Sequence, residues 1–269
     1  MGRKSEPAIH SGLGEAVQYH IRCKRGDVGH YVFLPGDPDR VPKFAKYWSA
    51  AREVSSHREY RVWTGELGSV KVSACSTGIG GPSAAIAVEE LARIGAETFI
   101  RTGSCGAIQP KVKCGDLIIC TGAVRLDGTS KQYVRVEYPA VASHDAVQAL
   151  VEACEQLGVR YHVGVMATSD SFYVGQARPG FRDYEPSWSK DLIPDLQKVG
   201  VLAFEMETSV IYVLASLYNL RAASICAVYA NRLTGEFVEG AGEEECIKVA
   251  NEAITLLNKW DEGSRRRKK

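Results

Sequence analysis

Two stretches decide the reading of this chain: Ser76-Thr77-Gly78-Ile79-Gly80-Gly81-Pro82-Ser83 and, a little further on, Phe99-Ile100-Arg101-Thr102-Gly103-Ser104-Cys105-Gly106. Each reads as a short β-type run followed by a glycine-rich turn. The second carries an arginine inside apolar sequence, directly before small hydroxyl and glycine residues. Exposed backbone N–H groups, a hydroxyl and a fixed guanidinium in one place suit an oxyanion such as phosphate. Pro35-Gly36-Asp37-Pro38-Asp39-Arg40 repeats the arrangement of strand, glycine turn and arginine. The first expectation is an α/β protein with an anion site at the carboxyl ends of its strands.

Working outward, strand and helix patterns alternate. His30–Leu34 reads as a strand, and Tyr60–Leu67 with Val70–Cys75 as a hairpin around Gly68-Ser69. From Ser83 to Ile94 the apolar positions Ala84, Val88 and Leu91 fall on one helical stripe. Further strands are expected at Thr98–Arg101, Gly115–Gly122, Tyr161–Thr168, Val201–Phe204 and Ala222–Tyr229. Helices are expected at Ser143–Leu157, with Ser143 as N-cap, at Glu207–Tyr218 and at Glu243–Trp260. Ala177–Pro194 reads as a long surface loop or flap. The alternation predicts a mixed, mostly parallel sheet flanked by helices in a single domain over 1–269. The ordered part is expected over about 10–260, with 261–269 a basic tail.

Composition narrows the function classes. The 269 residues are 45% hydrophobic and 24% charged, an ordinary globular balance. With 33 basic and 32 acidic side chains the net charge is +1, which argues against a general nucleic-acid binder. The run Arg265-Arg266-Arg267-Lys268-Lys269 is expected to be a solvated tail. Eight cysteines are scattered without metal-ligand spacing and read as reduced core residues. No run reaches the roughly 18 apolar residues of a membrane span. A cytoplasmic protein without membrane or nucleic-acid partners is expected.

Three groups of residues could carry chemistry. Arg40, Arg58 and Arg101 each stand beside a turn after strand-type sequence. Surface or ion-paired arginines are the plain alternative, but Arg101 closes an apolar run with no carboxylate adjacent in sequence, so a bound anion is its expected partner. Glu205-Met206-Glu207 lies between an apolar strand and an apolar helix. Its acids either complement the helix dipole or accept hydrogen bonds from ribose hydroxyls. Phe172 to Arg178 combines an aromatic, an amide and a guanidinium. Gln176 can both donate to and accept from an imide edge, and Arg178 can stabilise charge on a departing carbonyl oxygen. His20, His30, His144 and His162 show no local partner pattern and read as structural.

Taken together, several segments become specific. They are Gly36-Asp37-Pro38-Asp39-Arg40, Ser56-His57-Arg58-Glu59, Ser76 to Ser83, Val88-Glu89-Glu90-Leu91, Arg101-Thr102-Gly103, Val124-Arg125-Leu126-Asp127-Gly128, Gly175-Gln176-Ala177-Arg178 and Glu205-Met206-Glu207. In this order they closely resemble the uridine-cleaving members of the nucleoside phosphorylase-I family, from about His10 to the closing helix. The resemblance implies an α/β fold with a partly barrel-like mixed sheet. It implies a pentosyltransferase that converts uridine and phosphate to uracil and ribose 1-phosphate, without a redox cofactor or required metal. It places phosphate on Gly36, Arg40, Arg101 and Ser104, with Arg58 lent by a neighbouring subunit. Ribose falls to Met206 and Glu207, with His10 lent by the neighbour, and uracil to Phe172, Gln176, Arg178 and Arg232. Glu59, Ile79 and Ser83 match an interface monovalent cation site of some members. The implied assembly is a homo-oligomer with shared sites, a dimer or a hexamer of dimers.

The chain departs from the family pattern in places. Ser104-Cys105 replaces a common Thr-Thr pair, Pro179–Leu196 matches poorly, and Tyr229-Ala230 stands where smaller apolar residues are usual. The rivals are a purine nucleoside phosphorylase of the same fold, a water-using nucleosidase and a non-catalytic nucleoside-binding protein. Asn231-Arg232-Leu233-Thr234 holds no acid to protonate a purine, which favours the pyrimidine reading.

Overall fold

The computed structural model describes residues 16–267. In chain order it comprises β1 (Tyr31–Leu34), α1 (Val41–Phe44), β2 (Ser49–His57), β3 (Tyr60–Leu67), β4 (Val70–Cys75), α2 (Gly81–Arg93), β5 (Thr98–Ala107) and β6 (Leu117–Arg125). There follow α3 (Thr129–Tyr133), β7 (Ala140–Val141), α4 (His144–Leu157), β8 (Tyr161–Thr168), α5 (Ser189–Lys198) and β9 (Ala203–Glu205). The chain ends with α6 (Thr208–Leu217), β10 (Arg221–Asn231), β11 (Glu236–Phe237) and α7 (Glu243–Arg267).

β5 organises the sheet. Along one side it runs parallel to β10 for its whole length. Along the other it first runs parallel to β1, with Leu34 opposite Arg101, and then antiparallel to β9 at Gly106 and Ala107. The circuit β5–β10–β6–β8–β9–β5 therefore closes a five-stranded barrel, while β1, β4, β3 and β2 continue as an open wing. The fork lies just beyond Arg101.

Side-chain alternation divides the core between the two faces. On β10, Ala222, Cys226 and Val228 join a cluster with α2 and α6, while Ala223, Ile225 and Ala227 join one with α4 and α7. On β6, Ile118 and Cys120 take the first side and Leu117 and Ile119 the second. Strands covered on both faces read as continuous apolar runs. α6 is buried from Thr208 to Ala215, and the Tyr212 hydroxyl donates to the Cys120 carbonyl at 2.7 Å.

The structure bears out the expected β3–β4 hairpin and β8 to the residue, and corrects other boundaries. The segment Thr102–Gly106, read as a glycine turn, is strand: pairing with β10 and β9 overrides the turn preference of its glycines. β2 escaped the sequence reading because it is an exposed edge strand without apolar alternation, and its pairing is interrupted between Ser49 and Arg52 and between Glu53 and Ser55. The stretch 177–194, read as a loop, contains the start of α5, whose internal Pro194 hid the helix. β6 begins and ends later than expected. Ser143 occupies the N-cap position of α4, but its hydroxyl accepts the Ala222 N–H at 3.0 Å instead of capping the helix. α7 continues to Arg267, so the basic run begins within a helix. Among the described residues no helix is long and apolar enough to cross a membrane.

Tyr212→Phe removes the hydroxyl that satisfies a buried carbonyl and should lower stability by about 1–2 kcal/mol. Urea titration would read this as a lower midpoint at constant slope; an unchanged midpoint would show that the bond contributes nothing net.

Candidate active site

Arg101 is 3% exposed and is held between two carboxylates. Its Nε donates to Glu205 Oε2 at 2.9 Å, and its Nη2 pairs with Glu207 Oε2. This corrects the expectation that Arg101 lacks a protein partner: both acids arrive from the β9–α6 junction, far away in sequence. Nη1, however, is buried without a hydrogen-bond partner among the described residues. Burial opposes the guanidinium's charge, but Glu207 and Glu205 outweigh it and keep Arg101 protonated. Burial also pushes the Glu207 carboxyl up from the usual carboxylate range, with Arg101 opposing and Glu205 adding to the shift.

Glu205 fixes the surroundings. Oε2 also accepts the N–H groups of Glu207 and Thr208, at 2.8 and 2.9 Å, and Oε1 accepts the Thr168 hydroxyl. The carboxylate thus caps the start of α6 and ties β5, β8 and β9 together. Glu207 Oε1 accepts the Gly80 N–H at 2.5 Å, which brings the first glycine stretch to the same point. Gly103 is required here because Arg101 folds back over it. A Cβ at 103 would lie 2.8 Å from Arg101 Nη2 and 3.0 Å from Cys226 Sγ.

These groups border an open cavity of about 930 Å³. Of the expected phosphate residues, Gly36, Arg40, Arg101 and Ser104 line it. So do the expected ribose residues Met206 and Glu207, and Phe172, Gln176, Arg178 and Arg232 of the base group. At the base end, Arg178 lies over the Phe172 ring with 4.0 Å to its centroid, and its Nη1 donates to Gln176 Oε1 at 2.5 Å. Arg232 donates to the backbone carbonyls of Gln176 and Ala177 at 2.8 and 3.2 Å. Burial and the neighbouring Arg232 push Arg178 down to about 10. Neither arginine bonds a carboxylate among the described residues, so this end of the cavity favours incoming negative charge.

Other expected residues fall elsewhere. Arg58 is exposed, with φ 57°, in the turn joining β2 and β3, and does not line the cavity of its own chain. His10 lies outside the described residues. Of the histidines read as structural, His20 stands beside the Arg58 turn. Its Nδ1 is 2.7 Å from Glu90 Oε1, and its carbonyl lies 2.8 Å from His57 Nδ1. Glu59 and Ile79 line the cavity, and the Ser83 hydroxyl donates to the Ile79 carbonyl at 3.3 Å. The sequence reading assigned Glu243 no role and took Tyr229 only as a departure from the family pattern; Tyr229 lines the cavity, and both contact Arg40 across long sequence separations, which no local pattern signals.

The model of the Phosphorylase superfamily matches residues 30–259. Over 252 residues the chain is 59% identical to a uridine phosphorylase of Thermococcus kodakarensis, covering 94% of this chain and 91% of that one. It is 39% identical over 252 residues to a uridine phosphorylase of Escherichia coli, covering 91% and 100%. It is 38% identical over 253 residues to a guanosine phosphorylase of Halorubrum lacusprofundi, covering 90% and 100%. The chain belongs to the phosphorylase superfamily.

Gly103→Ala should displace Arg101 while leaving the barrel folded. Calorimetric titration with inorganic phosphate is expected to show binding weakened on the order of tenfold, since a directional charge-assisted contact tolerates little misplacement. Unaltered phosphate binding in the folded variant would contradict the need for glycine.

Proposed function

We propose that this enzyme catalyses the reversible phosphorolysis of uridine to uracil and ribose 1-phosphate. The observation that carries the reading is which side chains line this cavity together. It is lined by Arg101, Arg40 and Ser104, by Glu207 and Met206, and by Gln176 with Arg178 and Arg232, two arginines that bond no carboxylate among the described residues. In this reading a phosphate oxygen forms the bond to C1′ as the C1′–N1 bond breaks, and the electron pair leaves with uracil. Arg101 and Arg40 hold the phosphate, so bringing it to C1′ is largely a matter of positioning. Glu207 accepts from the ribose hydroxyls. Arg178 and Gln176 stabilise the charge that develops on the uracil carbonyl oxygens. A proton from solvent completes the base.

The printed names of the relatives include both uridine and guanosine, so the base end decides. Asn231 offers no acid, and its amide is already engaged: Nδ2 donates to the Val112 carbonyl at 2.7 Å and Oδ1 accepts the Leu233 N–H at 2.9 Å. This favours a pyrimidine. The assay is base release from uridine, deoxyuridine, thymidine, inosine and guanosine with and without phosphate. Uridine should have the highest kcat/KM of the panel, and cleavage should require phosphate. Gln176→Ala and Arg178→Ala should each lower kcat/KM for uridine, because polar groups built for one base edge discriminate strongly. A preference for guanosine, or cleavage by water alone, would overturn the reading.

The same proposal includes shared sites in a homo-oligomer of at least two chains, with Arg58 lent across the interface. An interface monovalent cation at Glu59, Ile79 and Ser83 belongs to this arrangement. Arg58→Ala and Arg101→Ala subunits, each inactive alone, should regain activity when mixed, because mixed dimers carry one site with both arginines. No recovery despite demonstrated subunit exchange would exclude sharing.

A further inference from the structure

The phosphate-side arginine Arg40 is held by Tyr229, which lines the cavity, and by Glu243, which does not. Its Nε forms an ion pair with Glu243 Oε2 at 3.0 Å, and its guanidinium carbon lies 5.2 Å from the centroid of the Tyr229 ring. The Tyr229 hydroxyl donates to the same Glu243 oxygen at 2.6 Å, and Lys43 Nζ pairs with Oε1. One edge and one face of the guanidinium are thus occupied. Its two terminal nitrogens make no hydrogen bond among the described residues, and that remaining edge is the one suited to bidentate contact with an oxyanion. Two cations share one carboxylate, so the cluster keeps an excess positive charge.

Glu243 is itself firmly placed. It is the first residue of α7, where a carboxylate also complements the helix dipole. The preceding Gly242 has φ 72° and lies so close to the Gly115 backbone that a Cβ would stand 2.6 Å from the Gly115 carbonyl oxygen. Burial raises the Glu243 carboxyl, but bonds from Lys43 and Tyr229 and the nearby Arg40 outweigh it, so the group stays ionised below the usual range.

We propose that Glu243, acting with Tyr229, is a positioning residue that presets Arg40 for phosphate, so that phosphate affinity depends on the start of the closing helix. This rests on the reading of Arg40 as a phosphate ligand. A preset arginine loses less rotamer freedom when phosphate binds, and its cost of ordering is met in the empty site. A carboxylate that merely competed with phosphate for Arg40 would have the opposite effect, because its removal would tighten phosphate binding.

The test compares wild type with Glu243→Ala, Glu243→Gln and Tyr229→Phe. KM for phosphate and for uridine are measured separately, and inorganic phosphate is titrated calorimetrically in the absence of nucleoside. Glu243→Ala should weaken phosphate on the order of tenfold, as expected for loss of a preorganised side chain, while KM for uridine stays within about twofold. Glu243→Gln keeps an acceptor oxygen and should recover most of the loss. Tyr229→Phe keeps the stacking but loses the bond to Glu243, and should weaken phosphate about two- to fivefold. Phosphate binding that is unchanged or tighter in Glu243→Ala, or equal rises in both KM values, overturns the proposal. If Glu243→Ala does not fold, unchanged phosphate binding in both Tyr229→Phe and Glu243→Gln, with Arg40→Ala weakened, overturns it equally. Wild type that binds phosphate but cleaves no uridine would refute the functional reading alone, because the calorimetric comparison would still stand.

Discussion

The buried pairing of Arg101 with Glu205 and Glu207 is the constraint on which the molecule depends. An arginine placed out of water costs several kcal/mol unless its charge is met and its nitrogens are bonded, on the order of magnitude usual for buried ions. Here the compensation comes from Glu205 at the end of β9 and Glu207 at the start of α6. The same Glu205 takes the first N–H groups of α6 and the hydroxyl of Thr168 on β8. Closing the barrel and fixing Arg101 at the cavity wall therefore depend on the same carboxylates. Removing either acid would leave Arg101 incompletely paired and loosen the junction that the neighbouring strands share.

The cavity's arginines differ in their partners. Arg101 is paired with Glu205 and Glu207, and Arg40 with Glu243. Those acids use part of each guanidinium and leave the rest available. Arg178 and Arg232 have carbonyl and amide partners instead. An arginine without a counter-ion gains most where negative charge appears, and under the proposed function the paired arginines meet a resident dianion and the unpaired ones a departing anion.

Much of this was legible in the sequence, and the parts that were not have physical reasons. The β3–β4 hairpin and β8 carry their own alternation and turn signals, so local pattern sufficed. The glycines after Arg101 were misread as a turn because their purpose is non-local: Gly103 makes room for a guanidinium, and β10 and β9 hold the backbone extended. β2, at an exposed edge, carries no apolar signature. The partners of Arg101 and Arg40 were invisible because ion pairs across long separations leave no local spacing; Arg101 and Glu205 are 104 residues apart. The ordered motifs, by contrast, named Arg40, Arg101, Gln176, Arg178 and Glu207, which line one cavity, but also Arg58, which does not line it.

The central claim is that the two carboxylates orient Arg101 and leave one nitrogen for phosphate. The most direct measurement is a crystal structure of the phosphate complex at a resolution that defines the oxygens. The account predicts a phosphate oxygen at about 2.7–2.9 Å from Arg101 Nη1, the usual charge-assisted distance, with Glu205 still on Nε. Phosphate bound elsewhere in the cavity, with Arg101 Nη1 bonded only to protein or water, would contradict it.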